Sequence, residues 1–339
     1  MSFFKLTQDV AIDLGTANTI IIHNGKIVVN APSIVALETR DGKVIAVGHK
    51  AQQMEGKTPD GIKTVRPLRD GVIADFYAAE QMIRGMIKMA FGGHHLFNPQ
   101  LRMVVGIPSG STEVEIRAVR DSSEHAGGCD VYMLYEPMAA AIGIGMDVLA
   151  PEGNMVVDIG GGSSEIAVIS LGGLVTNNSI RVAGNDLTQD IMDYMKRQHN
   201  IRVGVPTAEQ IKISVGSALT VLDNPPEDFV VHGPNQMTSL PMEVPVSYQE
   251  IAHCIEKSIA KIEAAVLKGL EETPAELYAD IVRNGIDLTG GGALLRGLDK
   301  RLQDKIGIMF HVADDPLLSV AKGTGIALKH VNDYPFLLR

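Results

Sequence analysis

The feature that most constrains this chain is a motif that occurs twice. Val10-Ala-Ile-Asp13-Leu-Gly15-Thr16 and Val156-Val-Asp158-Ile-Gly160-Gly161 each read as strand, aspartate, apolar residue, glycine, and the second lies close to half a chain length beyond the first. A second short β-rich run follows each, Thr19 to Ile22 and Ile166 to Ser170, so each copy predicts a β-hairpin with an unusual glycine turn. The spacing is far too long for a solenoid repeat. It points to two related halves, each offering a turn to one shared cleft.

Around the hairpins, strands and helices alternate, the signature of α/β layers. Lys26 to Val29, Ile34 to Leu37, Val44 to Val47, Met103 to Pro108 and Val131 to Leu134 read as strands in the first half. The apolar spacing of Gly71 to Ala90 predicts a helix, and Ser111 is placed to cap another, with Glu113 and Glu115 in its first turn. The second half starts near residue 151, with the strand Met155 to Ile159. Helices are expected over Leu187 to Gln198 and Thr207 to Leu219, and one long helix over Tyr248 to Glu271 on the stripe Ile251, Ile255, Ile259, Ile262, Val266, Leu270. Pro225 to Pro245 reads as loops and edge strands. Ile286 to Thr289 is a strand, Gly290-Gly291-Gly292 a tight turn, Ala293 to Ile306 a helix and Val320 to Val331 the last helix.

Composition removes several classes. With 339 residues, two domains or one domain of two halves are expected. Thirty Lys and Arg against forty Asp and Glu leave a net charge of −10, which argues against a nucleic-acid-coating surface. Two cysteines, Cys129 and Cys254, make neither a disulfide framework nor a metal spacing, and read as ordinary buried thiols in a reducing compartment. The N-terminus lacks a signal-peptide core, and the longest apolar candidate, Pro137 to Leu149, is too short to span a bilayer and carries Asp147.

The repeated turns carry the chemistry. In Asp13-Leu-Gly-Thr-Ala-Asn18, Gly15 admits a ligand close to the backbone, successive N–H groups can form an anion-binding concavity, and Thr16 and Asn18 add donors. Asp13 repels phosphate but can hold Mg²⁺ through water. Asp158-Ile-Gly-Gly-Gly-Ser-Ser-Glu165 repeats the design with a bare backbone and the hydroxyls of Ser163 and Ser164. Singly, either is also an ordinary glycine turn; paired at matched positions they favour one phosphate–metal site. Leu288-Thr-Gly-Gly-Gly-Ala-Leu-Leu-Arg-Gly297 suits a nucleotide lying on glycine backbone, or equally a close helix–strand contact, and is neither a dinucleotide fingerprint nor a P-loop. Glu136-Pro-Met-Ala-Ala-Ala opens a helix with Pro at its first position. Glu136 there is either a favourable N-terminal charge or a carboxylate that orients water for phosphoryl transfer.

Taken together, Asp13-Leu-Gly-Thr-Ala-Asn, Glu136-Pro-Met-Ala-Ala-Ala, Asp158-Ile-Gly-Gly-Gly-Ser-Ser-Glu, Leu288-Thr-Gly-Gly-Gly and Val320-Ala-Lys-Gly-Thr-Gly resemble the phosphate 1, connect 1, phosphate 2, adenosine and connect 2 motifs of the actin, chaperone and sugar-kinase superfamily. Arg66-Pro-Leu-Arg-Asp-Gly-Val-Ile-Ala-Asp75 and Asn154-Met-Val-Val-Asp-Ile-Gly-Gly-Gly resemble its bacterial actin branch, the MreB family, and the likeness runs from residue 9 to about 330.

The resemblance implies an α/β actin-like ATPase fold with two related lobes, in four subdomains, around a nucleotide cleft. The first lobe would be 1–150, with a subdomain near 33–65 inserted. The second would be 151–339, with an insertion near 182–245 and a C-terminal helix near 320–331 returning to the first lobe. ATP or ADP with Mg²⁺ would lie between them. Asp13 and Asp158 would sit near the metal, holding it through water, and Gly15, Thr16, Ala17, Asn18, Gly160, Gly161, Gly162 and Ser163 on the phosphates. Glu136 would orient the attacking water, assisted by Ser163 where the family usually has Thr. Glu209 and Lys212 match the helix that contacts ribose and adenine, although the family's second Glu there is Ser214. Gly184, Gly290, Gly291, Gly292 and Ala293 would complete the pocket.

As a family trait, the resemblance also implies filaments of the chain itself at the inner face of the bacterial membrane, in the cytoplasm, with the cell-wall elongation machinery (RodZ, MreC and MreD) as partners and no nucleic acid. Phe3 and Phe4 beside Lys5, and Leu96-Phe97 in the loop Gly92 to Pro99, are the candidate membrane contacts, since large apolar side chains at a loop tip need cover. Burying each would contribute about 1.5–3 kcal/mol, multiplied along a filament by avidity. The other function classes that fit the motifs are a sugar or acetate kinase, for which no residue marks a substrate base; a heat-shock-type chaperone, which needs a peptide-binding module; and a polymer that binds ATP without hydrolysing it.

Overall fold

The repeated motif becomes a repeated sheet. The computed structural model describes residues 7–92 and 100–339. Its first half builds five strands, β1 (Thr7–Leu14), β2 (Asn18–His23), β3 (Lys26–Pro32), β4 (Gln100–Ile107) and β5 (Gly128–Tyr135), in the order β3-β2-β1-β4-β5. The second half builds β6 (Asn154–Ile159), β7 (Ser164–Ser170), β8 (Gly173–Ile180), β9 (Ile286–Thr289) and β10 (Phe310–Val312), in the order β8-β7-β6-β9-β10. Direction matches too. β1 is antiparallel to β2 and parallel to β4, and β6 is antiparallel to β7 and parallel to β9. Each motif aspartate therefore lies near the end of a central strand, where the parallel part of its sheet leaves the chain ends facing the same side.

Continuous apolar runs make the central strands, as expected where both faces are covered. Val10, Ile12, Val156 and Val157 are all buried. One core lies under each sheet, and a third layer joins the halves: Ala139, Ala140 and Ala141 of the helix Glu136–Gly143 pack with Val320, Ala321 and Ala327 of the helix Ser319–Lys329. These small residues let the helices cross closely; a Cβ on Gly323 would stand 1.7 Å from the carbonyl oxygen of Ala139. Smaller sheets decorate the frame: Val35–Glu38, Val44–Val47 and Ile62–Val65 in the first half, Phe229–Pro234 with Pro241–Val246 in the second.

Several sequence expectations shift. The helix expected from Gly71 begins at Phe76, because Asp75 caps it by accepting from the Ala78 N–H at 2.9 Å; Gly71 belongs to a tight turn between Leu68–Arg69 and Val72–Ile73. Thr112, not Ser111, caps the next helix, Glu113–His125, through a reciprocal box with Glu115. The stretch Tyr248 to Glu271 is two helices, Tyr248–Cys254 and Glu256–Glu271, which meet at Ile255 with φ −90° and ψ 0°; the bend keeps Ile251, Ile255 and Ile259 all fully buried. The helix over Thr207 to Leu219 is Val205–Val215 and stops at Gly216. After Gly290 comes a single 3₁₀ turn, Gly291–Leu294, and the helix begins only at Leu298, past Gly297 in the left-handed region at φ 70°. Cys129 is exposed, contrary to expectation, and Cys254 is half-buried, where burial pushes its thiol up to about 12. No helix among the described residues is long and apolar enough to cross a membrane.

Candidate functional site

The two glycine turns meet face to face. The β1–β2 turn is held from behind by Ser33, whose hydroxyl donates to the Gly15 carbonyl at 2.6 Å. Thr16 Oγ1 accepts the Gly71 N–H at 2.9 Å, tying the turn to the Asp70-Gly71 loop. The β6–β7 turn is closed by Gly160 N–H donating to the Ser163 carbonyl at 2.9 Å. Its outward carbonyls are taken by the start of the helix Gly184–Gln198: Gly184 N–H donates to Gly160 at 3.1 Å and Asn185 N–H to Gly161 at 2.8 Å. A Cβ on Gly161 would stand 2.8 Å from Ala17 Cβ, and one on Gly162 2.7 Å from Thr16 Oγ1 and 2.9 Å from Asp70 Cα. Glycine is required there because the facing turn occupies the space. Ser163 is buried, its Oγ 3.1 Å from where a Cβ on Gly71 would be. Ala17 is half-buried and Asn18 exposed beside it.

Acidic side chains converge behind these turns. Burial, with the charge of Asp158, raises Asp13 to about 7. Burial also raises Asp158 to about 7; the hydrogen bond from Thr289 Oγ1 at 3.1 Å opposes the shift and the charge of Glu165 adds to it. Glu136, at the start of its helix, is pushed well above the usual carboxylate range, first by burial and then by Glu165, Asp13 and Asp158. The neighbours that act on these groups are mostly one another, so the cluster is short of positive charge.

The remaining expected residues are arranged on the second half's flank. Lys212, in the helix Val205–Val215, donates from Nζ to the Gly184 carbonyl at 2.8 Å and to Thr188 Oγ1 at 2.9 Å, and pairs with Glu209 Oε2 at 2.8 Å. Gly290, at φ 78°, lies so close to the end of β6 that a Cβ would stand 2.3 Å from the Ile159 carbonyl and 2.5 Å from Asp158 Oδ1. Gly292 is packed the same way on Ile159, 2.3 Å from Cβ position to Cγ2. Gly291 and Ala293 complete the 3₁₀ turn. The run leads into a 3₁₀ turn and not an α-helix, and what it offers is close backbone approach. Phe3, Phe4, Leu96 and Phe97 lie outside the described residues.

The sequence reading assigned no role to three residues that the geometry brings in. Glu165 is 1% exposed and accepts hydrogen bonds from Ser109 and Ser179. Thr289 orients Asp158. Arg296 donates to the carbonyls of Ile213 at 3.0 Å and Gly216 at 3.2 Å, joining the Gly290 loop to the helix that carries Lys212. Their signals were present only as positions within longer motifs; nothing in residue type announced which would be buried.

Comparisons with known proteins place the whole chain beside one family. The family model described as MreB/Mbl protein matches residues 7–335. The cell shape-determining protein Mbl of Bacillus subtilis is 44% identical over 330 residues, 97% of this chain and 98% of that one. The crystal structure of MreB5 of Spiroplasma citri bound to AMPPNP superposes with a TM-score of 0.89 at 36% identity, covering 96% of this chain and 97% of that one. The MamK double helical filament structure shares the fold, with a TM-score of 0.80 at 19% identity over 97% of this chain and 100% of that one.

Proposed function

This chain belongs to the MreB/Mbl family, and from that premise we propose that it is an ATP-hydrolysing actin-like protein that assembles into membrane-associated filaments and organises cell-wall synthesis to maintain rod shape. The observation that carries the nucleotide site is the apposition of the two turns, with Gly161 and Gly162 within a Cβ's reach of Ala17 and Thr16. A triphosphate lying there would take backbone N–H groups from both halves at once, so ligand binding and the relation of the halves are coupled. The lobes divide in this reading near residue 150, with insertions near 33–65 and 182–245.

The donor set fits Mg²⁺. Burial raises both Asp13 and Asp158 to about 7, with the charge of Asp158 adding to the first and that of Glu165 to the second, a penalty that a divalent cation would relieve. Among the described residues no three acidic, histidine or cysteine side chains form a ready cage, which suits an ion that keeps its waters and takes phosphate oxygens. Bound there, the metal would neutralise charge on the phosphates. Glu136 orients the attacking water and, once ionised, its raised proton affinity suits it to take that water's proton, and Ser163 helps to place the water. Gly15, Thr16, Ala17, Asn18 and Gly160 to Ser163 hold phosphates; Gly184, Glu209, Lys212 and Gly290 to Ala293 bound the nucleoside.

Assembly follows from scale. A folded chain of 339 residues has a radius of gyration of about 20 Å, so influence over the shape of a cell requires self-association. Phe3, Phe4, Leu96 and Phe97 supply the membrane contacts in this reading, and RodZ, MreC and MreD the partners at the cytoplasmic face. The deciding experiment is purified protein with ATP and Mg²⁺ on lipid vesicles, followed by electron microscopy and phosphate release. Filaments on lipid with phosphate release are expected. Filaments without phosphate would leave a non-hydrolysing polymer, and phosphate only on addition of a sugar would indicate a kinase.

A further inference from the structure

We propose that Glu165 is a positioning residue that latches the first half of the molecule onto the second beside the nucleotide turns. The proposal rests on the reading of the cleft as a nucleotide site only for its consequence; the latch itself is a matter of contacts. Glu165 lies on β7, directly across the β6–β7 ladder from Asp158 and two residues after Ser163. Its Oε2 accepts from the backbone N–H of Ser109 at 3.1 Å and from the Ser109 hydroxyl. Its Oε1 accepts from Ser179 Oγ at 2.7 Å. Ser109 sits in the loop that follows β4, in the other half. Its carbonyl is also engaged, by Asn177 Nδ2 of β8 at 3.2 Å. The N–H, C=O and hydroxyl of one first-half residue are thus all bonded to the second half. Gly110 permits the approach, since a Cβ there would stand 2.8 Å from Ser179 Cβ.

The energetics make this contact more than one hydrogen bond among many. An ionised carboxylate accepts about four hydrogen bonds and is strongly disfavoured in a buried site without them. Two of the three donors to Glu165 come from the first half, so separation of the halves strips the carboxylate of most of its partners in one step. Any opened state must then rehydrate Glu165. The latch therefore favours the arrangement in which the two glycine turns face each other, and by linkage it raises affinity for a ligand that needs both turns. The outer pair of Arg181 and Glu115, 3.4 Å apart with Arg181 mostly exposed, contributes little by comparison.

The test uses the full-length chain with Glu165→Ala, Glu165→Gln and Ser109→Ala. Hydrogen–deuterium exchange is read without nucleotide at residues 109–111, and binding of a fluorescent ATP analogue with Mg²⁺ is titrated separately. Glu165→Ala is expected to speed exchange of the Ser109 amide about tenfold and to weaken nucleotide binding about tenfold. Glu165→Gln should restore both to within about threefold, because its carbonyl still accepts from Ser109 and its NH₂ can donate to the Ser179 hydroxyl. Ser109→Ala keeps the N–H bond and should fall between them. Wild-type exchange at Ser109 in Glu165→Ala, or equal damage from Ala and Gln, overturns the latch. If Glu165→Ala exchanges faster throughout, Ser109→Ala decides: faster exchange confined to 109–111 supports the latch, and none overturns it. A wild-type protein that binds no nucleotide overturns the proposed function, while the exchange experiment still judges the latch.

Discussion

The turn after Asp13 keeps its side chains, Thr16, Ala17 and Asn18, whereas the matching turn after Asp158 has three glycines in a row. The two sheets share strand order and direction, yet the turns differ most where they meet. Contact explains the difference. Gly161 faces Ala17 and Gly162 faces Thr16 and Asp70, each at a distance that leaves no room for a second Cβ. At this closeness one turn is bare where the other carries side chains. The loops after β4 and β9 diverge in the same way. Pro108-Ser109-Gly110 reaches across to the second half, while Gly290-Gly291-Gly292 folds back on the end of its own β6.

The largest expected effect lies where the halves differ in charge. The helix after β5 begins at the half-buried Glu136. In the second half, the corresponding approach to the helix Ser319–Lys329 carries Asp315, exposed and paired with Lys322 at 2.5 Å. Glu136→Gln is expected to lower phosphate release about a thousandfold while leaving nucleotide affinity within a few-fold, as loss of a general base does. Asp315→Asn should leave release within about twofold. Phosphate release at equal saturation checks both, and similar losses from the two would end the assignment of hydrolysis to the first half.

Gly290 and Gly110 separate folding from closure. Gly290→Ala would force a side chain into the left-handed region and against Asp158 and Ile159, and is expected to cost about 3 kcal/mol of stability from strain and overpacking together. Gly110→Ala meets only the other half, at Ser179, so it should leave the thermal midpoint nearly unchanged and weaken nucleotide binding instead. Denaturation and ligand titration on the two variants distinguish these outcomes; a Gly110→Ala protein that unfolds as early as Gly290→Ala would mean that the halves do not separate as units.

The halves were legible to different depths. Both hairpins and both aspartates follow from a motif visible in residue type alone, because strand, aspartate and glycine turn is a local pattern; the order of the strands in each sheet does not. What the pattern does not carry is which groups meet across the cleft. Glu165 reads as the end of a serine-rich turn, yet it is almost fully buried because Ser109, fifty-six positions earlier, supplies its donors. The Gly290 run reads as a tight turn leading directly into a helix at Ala293, but packing against Ile159 goes with a 3₁₀ turn over Gly291–Leu294, and the helix starts only at Leu298. Likewise Ser111 and Thr112 are equally good caps by type, and only the reach of Glu115 selects Thr112.

The carboxylates give the comparison a pH dependence. Asp13 and Asp158 both rise from 3.8 in the unfolded chain to about 7 in the fold. Their neutral forms are therefore favoured by folding: the contribution is fully present below about pH 4 and is lost as pH rises toward 7, because the native state binds more protons than the unfolded state across that window. For one such group the loss is about 4 kcal/mol, and for the coupled pair less than twice that. Urea midpoints of the nucleotide-free protein between pH 5 and 8, compared with Asp13→Asn and Asp158→Asn together, check the sign: the wild type should lose stability relative to the double variant as pH rises. A single Asp158→Asn change should remove more of the slope than Asp13→Asn, since Asp158 is the more deeply buried of the two.

The smallest effect is the most informative about the bare turn. Ser163 stands between the three glycines and β7, buried at 6% exposure, and its χ1 is less restricted than that of a β-branched residue. Ser163→Thr adds one methyl near Gly71 and Pro108, whose side chain already crowds the Gly71 turn. If the hydroxyl helps to place the attacking water, fixing its rotamer should raise phosphate release about two- to threefold with affinity unchanged, a gain below 1 kcal/mol. If release falls instead and affinity falls with it, the methyl is being pushed against the first half, and serine is present for clearance between the two turns and not for the rate of hydrolysis.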